Sequence, residues 1–265
     1  MEQDLSAAPP NDNSNAGVTL KFLRRLREMV TSRDSNMSTS QVGDYFLKPW
    51  TRLDQSSLVD NIYLKYLNGH VPEVELNGFD CVSFNPTVYI VHNSSYNFVQ
   101  VINSIETFVL ANASGTSTMS TDETENIGIW MDIFSVSLWR KADIGMLTNW
   151  TIDRKALIEK MDLICVVFEN YTKPIILSKT WCLFEIYICF TARKQISITT
   201  FYNINNNNTE ALYSLLLSNF EYFLNGYIND ITLSKSTTSV ASEKSAILSL
   251  VNFSEQRLEL IEEGK

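Results

Sequence analysis

Apolar residues recur along this chain in two periods, and the switches between them lay out its elements. Val18, Phe22, Leu23, Leu26, Met29 and Val30 fall at helical spacing, with Lys21, Arg24, Arg25 and Arg27 on the other side. That pattern predicts an amphipathic helix over Val18–Ser32. A basic helix of this kind can lie on an anionic membrane, but packing on its own domain or a partner is the favoured reading. Ser38 with Gln41 has the form of a capping box, so a short helix is expected from there to just before Pro49. Ser57–Leu67 predicts another helix, closed by Asn68 and Gly69.

The texture then changes. Thr87–His92 (TVYIVH) is a short run of β-branched and aromatic residues between Pro86 and Asn93, which predicts a buried strand. A helix over Tyr96–Ala111, a Ser/Thr/Gly loop over Ala113–Asn126 and a strand over Ile127–Val136 are expected next. A helix around Trp150–Met161, a strand at Leu163–Glu169, a helix at Ser178–Gln195 and a strand at Ile196–Tyr202 continue the alternation. Beyond the Asn-rich loop Asn203–Asn208, a helix over Glu210–Asn225, a fifth strand over Tyr227–Leu233 and a closing helix over Val240–Glu263 are expected.

Alternating strands and helices imply an α/β domain, a flavodoxin-like parallel sheet with helices on both faces. The organisation reads as a disordered tail at 1–17, a helical N-terminal extension at 18–78, the α/β domain at 79–235 and a C-terminal helix packed on it at 236–265. In such sheets ligands sit beyond the carboxyl ends of the strands. That directs attention to His92–Tyr96, Asp132–Leu138 and Glu169–Lys173.

Composition narrows the function classes. A net charge of −9 argues against a nucleic-acid binder, which carries basic stripes to neutralise phosphates. No apolar run approaches the ~20 residues of a membrane span, and the polar start does not resemble a signal peptide, so a cytoplasmic protein is expected. Cys81, Cys165, Cys182 and Cys189 form no CxxC pair, and with two histidines no zinc spacing exists; buried reduced thiols and no metal are expected. There is no GxGxxG after a strand, no GxxxxGK[ST] and no GxSxG elbow, so neither a Rossmann dehydrogenase, a P-loop NTPase nor a serine hydrolase is supported.

One residue stands out chemically. Trp181–Phe190 (WCLFEIYICF) carries a single charge, Glu185, and no Lys or Arg lies three or four residues either side of it. A helix apolar all round is buried, and burying an unpaired carboxylate costs several kcal/mol or raises its pKa. Glu185 therefore either faces a cleft or takes a partner from elsewhere, such as Lys173 or Lys179. Trp181 lies one turn before it. Asp132 and His92 both end strands on the ligand side; capping a turn for Asp132, and a structural role for His92, are the plain readings. Trp130 and Trp139 read as core.

The segment Asn170–Ile188 (NYTKPIILSKTWCLFEIYI) resembles the end of a TIR domain, where a helix begins Ser-x-x-Trp-Cys-Leu-x-Glu; here these are Ser178, Trp181, Cys182, Leu183 and Glu185. It is similar to a TIR-like group of protists and other microbial eukaryotes. Members of that group carry Ser-His-Ala-Trp after the first strand and Trp-Ile-Asp-Ile-Phe-Ser-x-Asn-Gln after the second. This chain has WMDIFSVSLW, a comparable lead-in MSTSQVGDYFLKPWTR and a comparable tail ITLSKSTTSVASEKSAIL. Where the group has Ser-His-Ala-Trp this chain has Val91, His92, Asn93 and Ser94, and it has Ser137-Leu138 in place of Asn-Gln.

The resemblance implies an NAD glycohydrolase in signalling or innate immunity. Glu185 would be the catalytic residue, Trp181, His92, Asn93, Ser94 and Asp132 the substrate-binding residues, and NAD a substrate rather than a cofactor. It also implies homotypic self-association. Cleaving nicotinamide from ribose builds positive charge on the sugar, which a carboxylate can stabilise, and the cationic leaving group needs no proton. The altered loops leave open the alternative of a catalytically inactive module that signals by self-association.

Overall fold

The computed structural model describes residues 15–67, 81–113, 120–139, 153–170, 174–201, 236–238, 244–245 and 247. Six strands form one sheet: β1 (Gly17–Thr19), β2 (Val82–Ser83), β3 (Val88–Val91), β4 (Gly128–Trp130), β5 (Leu163–Phe168) and β6 (Ile196–Thr200), in the order β2-β1-β4-β3-β5-β6. Strands β4, β3, β5 and β6 run parallel, with Tyr89 paired to both Trp130 and Ile164. Counting β3 as first, this part of the sheet has the order 2-1-3-4 of a flavodoxin-like fold. All four residues of β3 are buried, as expected for a central strand covered on both faces.

The N-terminal segment departs from the expected extension. Gly17–Thr19 is a strand, antiparallel to β4 and to β2, so the sheet is mixed. The backbone approach is close: a Cβ on Gly17 would collide with the carbonyl of Ile129. Such a long-range pairing overrides the helical pattern that Val18 seemed to begin. Helix α1 (Leu20–Asp34) starts two residues later, capped by Thr19, whose Oγ1 accepts from the Phe22 amide. Its apolar stripe is buried, and its basic face pairs with α5 (Phe98–Ala113): Arg24 Nε lies 2.8 Å from Glu106, and Arg27 also pairs with Glu106. Two residues of the basic stripe, Arg24 and Arg27, are thus held on their own domain.

Ser38 and Gln41 do form a capping box, opening α2 (Thr39–Val42). The helix does not stop before Pro49. It widens into a π turn at Gly43–Leu47, with the Lys48 amide donating to the Gly43 carbonyl, and continues as α3 (Lys48–Trp50). A wider turn upstream lets a residue without an amide follow. Helix α4 (Leu58–Leu67) matches expectation.

The expected loop at Ala113–Asn126 contains a further capping box, Ser120 with Glu123, that starts α6 (Thr121–Glu125). The expected strand Ile127–Val136 is split. After three residues of β4 the chain turns into α7 (Asp132–Ser135), where the Asp132 carboxylate accepts the Ile133 amide. Ile133 and Phe134 stay buried in the helical turn, so an apolar run alone could not separate strand from helix.

Helix α8 is described over residues 153–160. A 3₁₀ turn at Ile175–Ser178 then precedes α9 (Thr180–Thr191), so the expected helix Ser178–Gln195 is shorter at both ends. Thr237 bridges to Lys179, and Ser236 shares a hydrogen bond with Thr180. Of the expected disordered tail 1–17, residues 1–14 lie outside the described residues, while Ala16 is buried and Gly17 belongs to β1. The Asn68-Gly69 stop, the loop Asn203–Asn208, the helix Glu210–Asn225 and the strand Tyr227–Leu233 also lie outside them, as does most of Val240–Glu263. All four cysteines are buried and outside any disulfide, and no described helix is long and apolar enough to cross a membrane.

Candidate functional site

Two neighbouring arrangements carry the chemistry, one buried and one open. The buried one is built on Glu185. Helix α9 packs on β3, and the carboxylate meets a strand residue rather than a lysine: the Tyr89 hydroxyl donates to Glu185 Oε1 at 2.7 Å. Arg154 of α8 donates from Nη1 to the Tyr89 hydroxyl at 2.9 Å and stands 3.4 Å from Glu185 Oε1. Trp130 stacks on Tyr89 at 4.8 Å between ring centres, and the Arg154 guanidinium lies 4.1 Å from the Trp130 centroid.

Burial governs the charge states here. Glu185 is 8 % exposed and Arg154 is 3 % exposed. Desolvation pushes the Glu185 carboxyl up to about 7; the Arg154 cation pulls it down and Asp132 pushes it up. For Arg154, burial works against the cation, but Tyr89, Glu185 and Asp132 outweigh it and hold it charged. Burial raises Tyr89 strongly, so its hydroxyl keeps the proton that it donates to Glu185. The result is a cation, a phenol and a carboxyl in one polarised chain, with the carboxyl poised between its two forms near neutral pH.

The open arrangement is a cleft of about 250 Å³ at the carboxyl ends of β3 and β4. The α/β part contributes His92, Ser94, Asp132, Ile133, Val136 and Leu138. The N-terminal segment contributes the facing wall: Thr39, Ser40, Gly43, Asp44 and Lys48. That wall is stitched on by backbone bonds, Thr39 amide to Tyr96 carbonyl and Ser40 amide to Ser94 carbonyl, each 2.8 Å.

His92 is the buried polar group of the cleft. Its side chain is 3 % exposed, its Nδ1 lies 3.8 Å from Asp132 Oδ1, and its Nε2 has no hydrogen-bond partner among the described residues. Burial lowers its pKa, against an upward pull from Asp132, so the imidazole is neutral over a wider range than usual. Asn93 is buried beside it; its Oδ1 accepts the Ser95 amide at 3.2 Å and its Nδ2 has no partner among the described residues.

The residues singled out from sequence therefore separate. His92, Ser94 and Asp132 line one cleft, while Asn93, Glu185 and Trp181 are not among its lining residues. Trp181 is half-buried, edge-on to Phe184 at 5.9 Å. A covalent step away, the Cys182 thiol donates to the His92 carbonyl at 3.3 Å, tying α9 to the cleft. Lys173 lies outside the described residues, and Lys179 Nζ is 3.4 Å from Thr237 Oγ1.

Sequence reasoning missed Arg154, Tyr89 and the N-terminal wall. Arg154 did carry a signal: it sits three, four and seven residues before Leu157, Ile158 and Met161, all buried, so helical spacing puts it on the apolar stripe. Tyr89 reads simply as strand core, and nothing local brings Thr39–Lys48 to the sheet. Among the described residues no cluster of His, Cys, Asp and Glu is placed to hold a metal ion. Comparison with protein-family models, with curated proteins and with solved structures finds no match.

Proposed function

We propose that this chain is a TIR-like NAD glycohydrolase whose glutamate is held in a resting arrangement by Arg154 and Tyr89. The observation that carries the reading is the buried Tyr89–Arg154–Glu185 cluster beside the cleft. Well-packed apolar side chains often replace a buried ion pair at no loss of stability. A lone carboxyl in an otherwise apolar helix, held by partners from a strand and another helix and raised toward neutral by burial, supports a functional-site reading. The β3 strand that carries Tyr89 runs directly into His92 and Ser94 of the cleft.

In the reaction, the C–N bond between ribose and nicotinamide breaks and its electron pair goes to the ring, which leaves as neutral nicotinamide. A carboxylate at the ribose stabilises the positive charge left on the sugar. Water then adds at the same carbon and releases one proton, giving ADP-ribose. Glu185 reaches a bound ribose only when Arg154 and Tyr89 give way, which suits a protein that becomes active on self-association.

The test is nicotinamide release from NAD by concentrated protein under crowding, comparing wild type with Glu185→Gln. Release by the wild type that Glu185→Gln abolishes is expected. A second reading has its own observation: Glu185 is satisfied by its partners and does not line the cleft, as in a catalytically inactive module that signals by self-association. Equal inactivity of both proteins under conditions where they assemble would decide for that reading.

A further inference from the structure

The wall opposite His92 comes from outside the strand–helix alternation, and it is built rather than incidental. Its start is fixed by the Ser38–Gln41 capping box and by backbone bonds to the loop after β3 and to the first residue of α5, whose Phe98 amide donates to the Met37 carbonyl at 2.9 Å. It then distorts into a π turn where it faces the cleft; single π turns inside α-helices are rare and concentrate at functional sites. Gly43 begins that turn. A Cβ there would lie 3.2 Å from Leu138 Cδ1 and 3.6 Å from Ile133 Cδ1, so the missing side chain is part of what keeps the space open.

The lining chemistry is selective. The charged groups are Asp44, Lys48 and Asp132, and Lys48 is paired to Asp44 at 2.7 Å. That leaves the cleft with an acidic balance. Ser40 and Ser94 offer hydroxyls, His92 lines the cleft with its Nε2 buried and without a hydrogen-bond partner among the described residues, and Ile133, Val136 and Leu138 form an apolar floor. Pockets for drug-sized ligands span roughly 300–1,000 Å³. The cleft of about 250 Å³ suits one nucleoside-sized group, with a flat ring on the apolar floor and hydroxyls on the polar groups.

We propose that Thr39–Lys48 is a ligand-recognition wall, which with His92 and Asp132 admits the neutral or cationic nucleoside end of a ligand and keeps phosphate groups out of the cleft itself. This rests on the proposed reading only for the choice of probe, nicotinamide riboside, a cationic nucleoside. The anionic counterpart is ribose 5-phosphate. Both are titrated calorimetrically into the full chain, into Asp44→Asn and into Gly43→Val.

The riboside binds the wild type at least tenfold more tightly than ribose 5-phosphate. Asp44→Asn weakens the riboside about threefold or more, and Gly43→Val about tenfold or more with a thermal midpoint close to wild type. Should Gly43→Val fail to fold, the exposed Asp44→Asn decides. Absence of riboside binding, equal or tighter binding of ribose 5-phosphate, or wild-type riboside affinity in Asp44→Asn each overturns the proposal. A protein that binds the riboside but never releases nicotinamide from NAD loses the hydrolase reading alone. One that hydrolyses NAD without riboside binding loses the recognition wall alone.

Discussion

Replacing Glu185 by glutamine isolates the energetic consequence of burying a carboxyl among Tyr89, Arg154 and Trp130. In the folded chain burial raises this group to about 7 from an ordinary value of 4.5. The unfolded chain therefore gives up the proton first. The stability associated with protonated Glu185 is complete below pH 4.5 and is lost as pH rises through 7. Each pKa unit is worth about 1.4 kcal/mol, so the loss is on the order of 3 kcal/mol. Glutamine keeps an oxygen for the Tyr89 hydroxyl but does not titrate. The stability difference between Glu185→Gln and wild type should then swing by on the order of 3 kcal/mol in favour of the variant between pH 5 and pH 8. With urea m-values of about 1–3 kcal/mol per M, that is a swing of at least roughly 1 M in relative midpoint. Urea unfolding followed by the fluorescence of the five tryptophans measures it at both pH values. Other titrations, such as that of His92, are common to the two proteins and cancel. Stability profiles that stay parallel from pH 5 to pH 8 would refute the reasoning.

Three further outcomes follow from the same structure. Arg154→Met leaves a buried carboxylate without its cation and should cost about 3–5 kcal/mol at pH 8, and clearly less at pH 5, where Glu185 is protonated; denaturant midpoints at the two pH values check it. Because burial lowers His92, the unfolded chain takes up its proton first, so the His92 contribution to stability falls as pH drops below 6.5, and thermal melts should show His92→Gln gaining on the wild type as pH falls through that range. Gly17→Ala drives a methyl group into the Ile129 carbonyl and should cost about 1–3 kcal/mol by overpacking, read as a lowered thermal midpoint.

Much of this molecule is legible from local pattern. The TVYIVH and LICVVF runs, their intervening helical stripes and the Ser38 capping box are short-range signals, and each appears close to where the pattern puts it. Local chemistry also marks Glu185 as a charge needing an explanation, since composition predicts that WCLFEIYICF is a buried helix; in the structure Glu185 is buried while Phe190 of the same helix is exposed. What supplied the explanation is long-range. Tyr89 and Arg154 lie far from Glu185 in sequence, and no spacing rule links a strand, a helix and another helix around one carboxylate. The same holds for Gly17–Thr19, whose helical periodicity yields to pairing with β4, and for the wall at Thr39–Lys48, which reaches His92 only because the chain folds back over the sheet. Periodicity reports which side of a residue is dry. Which partner waits on that dry side depends on how distant segments pack, and for Glu185 that partner decides whether the carboxyl is a catalyst, a strut or a switchable form of both.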